Sequence, residues 1–401
     1  MKGLYTTKAP DPGTLEELIQ YESENLQAPP EANAPSKDEV VIRVHTAACS
    51  VDDIHGAEGT YLSRLRTSPQ ESKNHEYCYT PGFECCGRVV NAGSRMRNKY
   101  PVGSMVMCFQ STKNQRYGTW GEYFVFSPGK ASVDHPFITT KPGYLSDEQA
   151  VACLVPLRVT CANLNKAVFK AMEHTALAKE NNQQIKPTPE ETLSRKTIVI
   201  VGASGATGTV MLQATRHLWP ESKRVAICSL SKRNHALENG ATHVIPYDEE
   251  PNWGSSDLLL QKTDVVVDLV GGDEILEQGK NALRRGGIFE TSVGPMRFIG
   301  DEGKQSLWSF VQYLTKILGR LIANKWRAGY KYHAGDMSMH ANPELYNRLL
   351  SEKAIVPEIV SVVDIADLDG IKDSIRQVRL HKTKGRMVFQ LHSDSTTIVP
   401  T

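Results

Sequence analysis

Hydrophobic and polar positions change their period along the chain. From Glu39, EVVIRVHTAACS alternates β-branched and other residues, and GRVVNAGS and SMVMCF continue the pattern between Gly, Asn and Pro breaks. A period of two over short runs predicts a compact β domain. The polar, charged stretch from Thr60 to Tyr79 reads as a loop. At Ser146 the spacing lengthens: SDEQAVACLVPLRVTCANL opens with a Ser-x-x-Gln capping box and continues at helical apolar spacing. A helix therefore starts the second domain. The polar, Pro-interrupted segment from Lys166 to Arg195 follows as an exposed insertion with no assigned chemistry.

Further on, short apolar runs occupy Thr197 to Val201, Arg224 to Cys228, His243 to Ile245, Asp264 to Leu269 and Gly287 to Thr291, separated by helical stretches. That alternation predicts an α/β domain with a parallel sheet. The terminal VVDIADLDGIKDSIRQVRLHKTKGRMVFQL predicts a helix and then a strand, a return to the first domain. The expected division is residues 1–157 completed by 357–401, and 158–356.

Composition narrows the function classes. With 401 residues, 40% of them hydrophobic and 23% charged, the chain exceeds what one core usually serves. A net charge of +1 gives no overall electrostatic reason to expect nucleic acid or an acidic membrane, and no basic-aromatic patch points to nucleic acid. The eight cysteines lack the density of a disulfide scaffold and read as reduced thiols. MKGLYTTKAPDPG has the character of neither a secretory signal nor a transit peptide, so a cytoplasmic location is expected. No transmembrane segment is expected either: the nearest candidate, Leu307 to Ile322, is broken by Gln312, Lys316 and Arg320.

The strongest chemical signal is TIVIVGASGATGTVMLQATRHL, an apolar strand, a glycine turn and a helix periodic from Thr209. Gly202, Gly205 and Gly208, with Ser204, Ala206 and Thr207 between them, let the backbone approach a pyrophosphate at the positive end of a helix. A strand before the turn and a helix after it are the context that makes the pattern informative. An NAD site needs an acid about 20 residues on, at the end of the second strand, to bind the ribose 2′-hydroxyl. Here that place reads CSLSKRN. Ser229, Ser231, Lys232 and Arg233 favour the 2′-phosphate of NADPH, although the two cations alone also fit a solvated helix start.

Together with that turn, PGFECCGRVVNAGS, VGSMV, GTWGEYFVF, NGATHVI, DVVVDLVGG and GRMVF make the chain resemble the medium-chain dehydrogenase/reductase superfamily over essentially its whole length. The resemblance implies a chaperonin-10-like, β-rich catalytic domain and a doubly wound Rossmann domain, with the reaction in the cleft between them. It also implies cofactor contacts at Thr160, at Gly271 and Gly272 after the fourth strand, and at Val293 and Gly294 after the fifth. Where zinc-dependent alcohol dehydrogenases of the superfamily place a Cys and a His ligand, this chain has Ser50 or Val51, and Phe83. No metal is expected, and Cys108 stands alone where their structural zinc lobe needs four cysteines. The adjacent Cys85 and Cys86 point to opposite faces of a strand and make a poor chelate.

The zinc-free branches reduce quinones, enones and enoyl thioesters, and small molecules of those kinds are the expected substrates. DIHGAEGTY, Asp53 to Tyr61, is similar to the proton-donor run of mitochondrial trans-2-enoyl thioester reductases. That similarity implies Tyr61 as proton donor, His55 as a second candidate in the same loop, and Trp120 with Phe83 as pocket lining. Asp52 and His55 depart from the family pattern, so a simple loop tyrosine stays open. Leu307, Phe310, Leu314, Ile317 and Leu321 form an apolar helical stripe, read first as core or interdomain packing and second as bordering a greasy ligand or a membrane surface. Relatives are often homodimers, so a homodimer is the assembly to test. A catalytically idle NADPH-binding scaffold is the rival reading that an intact glycine turn does not exclude.

Overall fold

The computed structural model describes residues 1–392 apart from Ala9, 59–78, 111–116, 129–135, 165–194, Met296, 298–306, 327–328, 335–342 and Lys382. Tyr61, the Thr60 to Tyr79 loop except its last residue, and the insertion from Lys166 as far as residue 194 lie outside the described residues. Two compact units divide the chain, one of Met1–Val155, Gly300–Leu307 and Pro357–Thr401, the other of Pro156–Ile299 and Trp308–Val356.

The first unit begins with β1 (Gly3–Tyr5), α1 (Leu15–Leu18), β2 (Gln20–Glu22), β3 (Val40–Cys49) and α2 (Val51–Glu58). It continues through β4 (Glu84–Ala92), β5 (Met105–Phe109), β6 (Tyr123–Phe126), β7 (Phe137–Thr140) and the first half of α3 (Asp147–Leu164). The reciprocal bonds expected of the capping box are present at the head of α3: Gln149 N donates to Ser146 Oγ and Ser146 N to Gln149 Oε1, both at 3.1 Å.

The second unit carries β8 (Thr197–Val201), α4 (Ala206–Leu218), β9 (Lys223–Cys228), α5 (Arg233–Glu238) and β10 (His243–Pro246). After these come β11 (Thr263–Asp268), α6 (Asp273–Ala282), β12 (Leu283–Thr291), α7 (Leu307–Trp326), β13 (Lys331–Ala334) and α8 (Pro343–Ser351). The chain then returns to the first unit with β14 (Ile359–Asp364), α9 (Leu368–Arg379) and β15 (Arg386–Gln390).

In the first unit the sheet order is β14-β15-β3-β4-β5-β7, with β6 also paired to β3. Among its described strand pairs only β14 with β15 is parallel. All but one residue of β3 is buried, more than its alternating sequence suggests, because three strands pair with it. Its core gathers Val44, Trp120, Phe124, Ile375 and Phe389. The second unit holds an all-parallel sheet in the order β10-β9-β8-β11-β12-β13. This is the doubly wound order in which sequence progress reverses between β8 and β11, the point where such sheets bind ligands beyond the strand ends. Val199, Ile227, Trp253, Val266 and Phe289 fill one side of that sheet.

Two expectations need correction. Helix α4 starts at Ala206, three residues before Thr209, because Gly205 already serves as its N-cap and the Ala-Thr-Gly that follows forms the first turn. The stripe read first as packing lies open instead: Leu314 and Leu321 are exposed and Ile317 is half-buried, while the side chains of Leu307 and Phe310 lie outside the description. The opposite side of α7 is the one that holds to its own unit. There Lys316 and Arg320 both pair with Asp273, and buried Tyr313 donates to the Val293 carbonyl at 3.3 Å.

Candidate functional site

At the end of β8 the chain turns through Gly202, whose φ of +79° is a left-handed conformation that favours glycine. The Gly202 and Ala203 amides are turned back onto the Ile227 carbonyl. Gly205 caps α4 with no side-chain hydrogen bond, and the first amides of any helix lack an intrahelical acceptor. Gly202, Gly205, Ala206 and Thr207 are half-exposed, and a Cβ at Gly205 would meet nothing nearer than 3.6 Å. Gly208 has a different duty. A Cβ there would come within 2.4 Å of the Gly202 carbonyl oxygen and 2.5 Å of Ala203 Cα, so its missing side chain lets the helix sit against the turn. Ser204 is buried in the same turn.

The turns after β11 and β12 are locked to each other. Asp268, at the end of β11, accepts from the Val270 and Gly271 amides and from Thr291 Oγ1 at 2.8–2.9 Å. Burial raises its carboxyl, and those donors oppose the rise. Thr291 Oγ1 in turn accepts from Gly294 N at 2.8 Å and Val293 N at 3.2 Å. Gly271, Gly272 and Gly294 all have positive φ. Asn163 near the end of α3 exchanges bonds with Ser292 Oγ at 2.7 and 2.9 Å. Thr160, one turn earlier on that helix, is fully buried and its Oγ1 has no hydrogen-bond partner among the described residues. An unsatisfied buried hydroxyl is uncommon, and an amide or hydroxyl of a bound molecule would satisfy it. The uncapped amides at the head of α4, the positive-φ turns and Thr160 fit a dinucleotide.

The loop after β9 brings Ser229 Oγ within 3.2 Å of Ser231 Oγ, with Lys232 half-buried and Arg233 exposed. Sequence spacing missed an acid here. Asp248, from beyond β10, accepts from the Leu230 amide at 2.9 and 3.2 Å. The signal was parallel pairing: β10 lies beside β9, so the residues that follow each strand emerge at the same edge. Burial pushes the Cys228 thiol up to about 11, with Lys232 pulling it down and Asp248 pushing it up.

In the first unit, Ser50 and the Phe83 amide take part in a buried polar knot. Asp53 accepts from Ser50 N at 2.8 Å, Ser50 Oγ at 2.6 Å and Phe83 N at 2.7 Å. Glu84 pairs with Arg386 of β15 and accepts from Val155 N at 3.2 Å. Burial raises both carboxyls; Glu84 pushes Asp53 further, and Arg386 opposes the rise in each. The Phe83 ring packs over Gly56, where a Cβ would fall 2.3 Å from its Cζ. Among the described residues no three His, Cys, Asp or Glu side chains are placed to hold a metal ion.

Other expected residues are placed differently from their reading. His55 is not in a loop: it lies on α2 and is buried. The missed signal was a second capping box, Ser50-x-x-Asp53, in which Asp53 N donates to Ser50 Oγ at 3.2 Å while Ser50 N reaches back to the Asp53 carboxylate. Trp120, expected along a pocket, is fully buried in the core, its indole N–H donating to the Ala48 carbonyl at 2.9 Å and its ring edge-on to Phe389 at 5.0 Å. Cys108 Sγ lies 3.4 Å from that of Cys85 across the β4–β5 ladder. Both thiols are buried and free.

The first unit thus holds a seven-stranded sheet and the second a six-stranded, all-parallel one. Residues 36–135 match the alcohol dehydrogenase GroES-like domain. The chain is similar to Protein YIM1 of Saccharomyces cerevisiae, 22% identical over 373 residues that cover 88% of this chain and 90% of that one. Its fold is similar to that of Escherichia coli quinone oxidoreductase complexed with NADPH, with a TM-score of 0.63, 18% identity and coverage of 98% and 100% of the two chains. It is equally similar to JamJ enoyl reductase, with a TM-score of 0.64, 19% identity and coverage of 97% and 98%.

Proposed function

We infer that the protein is a zinc-independent, NADPH-dependent oxidoreductase acting on an activated alkene, enone or quinone. The observation that carries this reading is the half-exposed glycine turn before α4, whose helix has no side-chain cap and whose next strand ends in Ser229, Ser231, Lys232 and Arg233. Likeness to a quinone oxidoreductase solved with NADPH supports it. NADPH, when bound, supplies a hydride to the acceptor. The turn amides and the head of α4 would hold the pyrophosphate, and Lys232 and Arg233 the 2′-phosphate. Thr160, Gly271, Val293 and Gly294 would meet the nicotinamide end. For an alkene, Tyr61 would deliver the proton, with buried His55 as the other candidate; a quinone needs no dedicated donor.

A second reading, trans-2-enoyl thioester reduction, draws on the likeness to JamJ enoyl reductase and on the run from Asp53 to Tyr61. One assay series separates the readings. Purified protein should oxidise NADPH with a quinone, an enal or an enoyl thioester, without added zinc. Tyr61→Phe should depress turnover of the alkenes and spare the quinone. Bound NADPH that no acceptor oxidises would favour an idle scaffold, and absence of NADPH binding would overturn all three.

The double variant Lys232→Ala/Arg233→Ala is expected to weaken NADPH about 10- to 100-fold, as loss of charge-assisted bonds to an exposed phosphate implies. NADH affinity should be unchanged. Fluorescence titration of the two nucleotides checks this, and equal losses for both would mean that these cations do not read the 2′-phosphate.

A further inference from the structure

We propose that Asp268 and Thr291 are positioning residues for the nicotinamide end of the cofactor. Acting as one relay, they hold the turns after β11 and β12 in the conformation that receives the ring. The inference rests on the NADPH reading above and adds to it two residues buried behind those turns, Asp268 and Thr291 each being 1% exposed.

The relay has a direction. Asp268 accepts at Oδ1 from the Val270 and Gly271 amides at 2.9 and 2.8 Å, and at Oδ2 from Thr291 Oγ1 at 2.8 Å. Thr291 Oγ1 then accepts from the Val293 amide at 3.2 Å and the Gly294 amide at 2.8 Å. A hydroxyl has one proton and two lone pairs, and here all three are committed. The Asp268 end needs a group that accepts at both oxygens, and only a hydroxyl joins it to two further amides.

Fixing these amides also fixes carbonyls, because each peptide unit is planar and trans. With the Val270, Gly271 and Val293 N–H groups drawn inward, the Leu269, Val270 and Ser292 carbonyls are directed away from the relay, on residues that are half-buried or exposed. Carbonyls so directed can accept from a primary carboxamide. Gly271, Gly272 and Gly294 hold positive φ of 84°, 104° and 87°, a conformation that residues with side chains rarely adopt. The turns also bond each other directly, Gly272 N to the Gly294 carbonyl and Ser292 N to the Asp268 carbonyl, both at 3.0 Å. Asn163 of α3 holds Ser292 from a third element, three residues after Thr160 with its unsatisfied hydroxyl.

Folding alone does not call for this arrangement. Burial opposes the charge of Asp268, its three donors are neutral, and the attraction of Arg320 is the least of the influences that favour ionisation. A buried charge held by neutral groups is costly to keep, and charges of this kind gather at functional sites.

Calorimetric titration of the full chain with NADPH and with 2′-phospho-ADP-ribose, the same nucleotide without nicotinamide, tests the proposal. The parent should bind NADPH more tightly. Thr291→Val keeps the shape of the side chain and removes the relay; Asp268→Asn is the milder change, placing a donor where the relay needs an acceptor. Each should erase most of the preference for NADPH and leave the affinity for 2′-phospho-ADP-ribose unchanged, which also shows that the variant is folded. Quinone turnover should fall about 10- to 100-fold, the scale of a misplaced reacting group, with a smaller change in the KM for quinone. Thr291→Ser restores the hydroxyl and should recover the preference. Equal loss of both nucleotides by the valine and asparagine variants would assign the pair to folding and overturn the proposal. Variants that keep the parent's preference would overturn it too, as would a serine variant no better than the valine one or a parent that binds the two nucleotides alike. A parent that binds neither overturns the NADPH reading itself, and this inference with it.

Discussion

Replacing Arg386 by methionine is expected to cost about 3–5 kcal/mol of folding stability, the usual penalty for stranding a buried charge by removing its partner. Arg386 is buried in β15 against Glu84, and Asp53 adds a second buried carboxyl to the same knot. Without the guanidinium, two carboxyls share a region that burial already makes hostile to their ionised forms. Their values would rise further, so the loss should be largest at alkaline pH and shrink as acidification protonates them. The double variant Glu84→Gln/Arg386→Met removes both members of the pair and should recover most of the loss. Urea denaturation at pH 6 and pH 8 reads all three chains. A single variant as stable as the parent, or a double variant no better than the single, would mean that the pair contributes no charge compensation.

The second large effect concerns Glu290 on β12, between β11 and the edge strand β13 of the parallel sheet. It faces Val267 on β11 and His333 on β13 in register, is almost fully buried, and its Oε2 finds no hydrogen-bond partner among the described residues. Burial alone pushes its carboxyl from 4.5 up to about 8. Between those values the folded chain holds a proton that the unfolded chain has released. Unfolding is therefore easier at higher pH, and stability contributed by the neutral acid is present below pH 4.5 and lost as pH rises toward 8. A shift of this size corresponds to a few kcal/mol, about 1.4 kcal/mol for each tenfold step. Glu290→Gln keeps the shape and removes the titration. Its melting temperature should match the parent near pH 5 and exceed it by several degrees at pH 8. Parallel melting curves across that range would show that the carboxyl has a partner that holds its charge.

How much of this was legible depended on how far apart the interacting residues lie. The glycine turn, the Ser146 box and the apolar strands of the parallel sheet are local patterns, and each occurs where its spacing places it. His55 was assigned to a loop because α2 is short and polar, and its only strong marker, Ser50 with Asp53, was overlooked. Asp248, by contrast, reaches the loop after β9 only through strand pairing. Arg386 and Glu84 are 302 positions apart, and no periodicity reports their contact. Glycine 56 is another such case, since its role is defined by the Phe83 ring that occupies the space of its missing side chain. The α7 stripe had the spacing of a buried face, and only its surroundings reveal that the helix is turned the other way.

The seven described cysteines, from Cys49 to Cys228, are all free and buried, and burial raises the thiols of six of them. Thiolate is the species that reacts with alkylating reagents, so in the native protein all seven are shielded sterically and those six chemically as well. They are distributed over both units, with Cys49, Cys85, Cys86, Cys108 and Cys153 in one, and Cys161 and Cys228 in the other. Alkylation followed by peptide mass mapping thus yields an opening rate for each unit without any introduced label. The chain carries its own clocks for the breathing of its two halves.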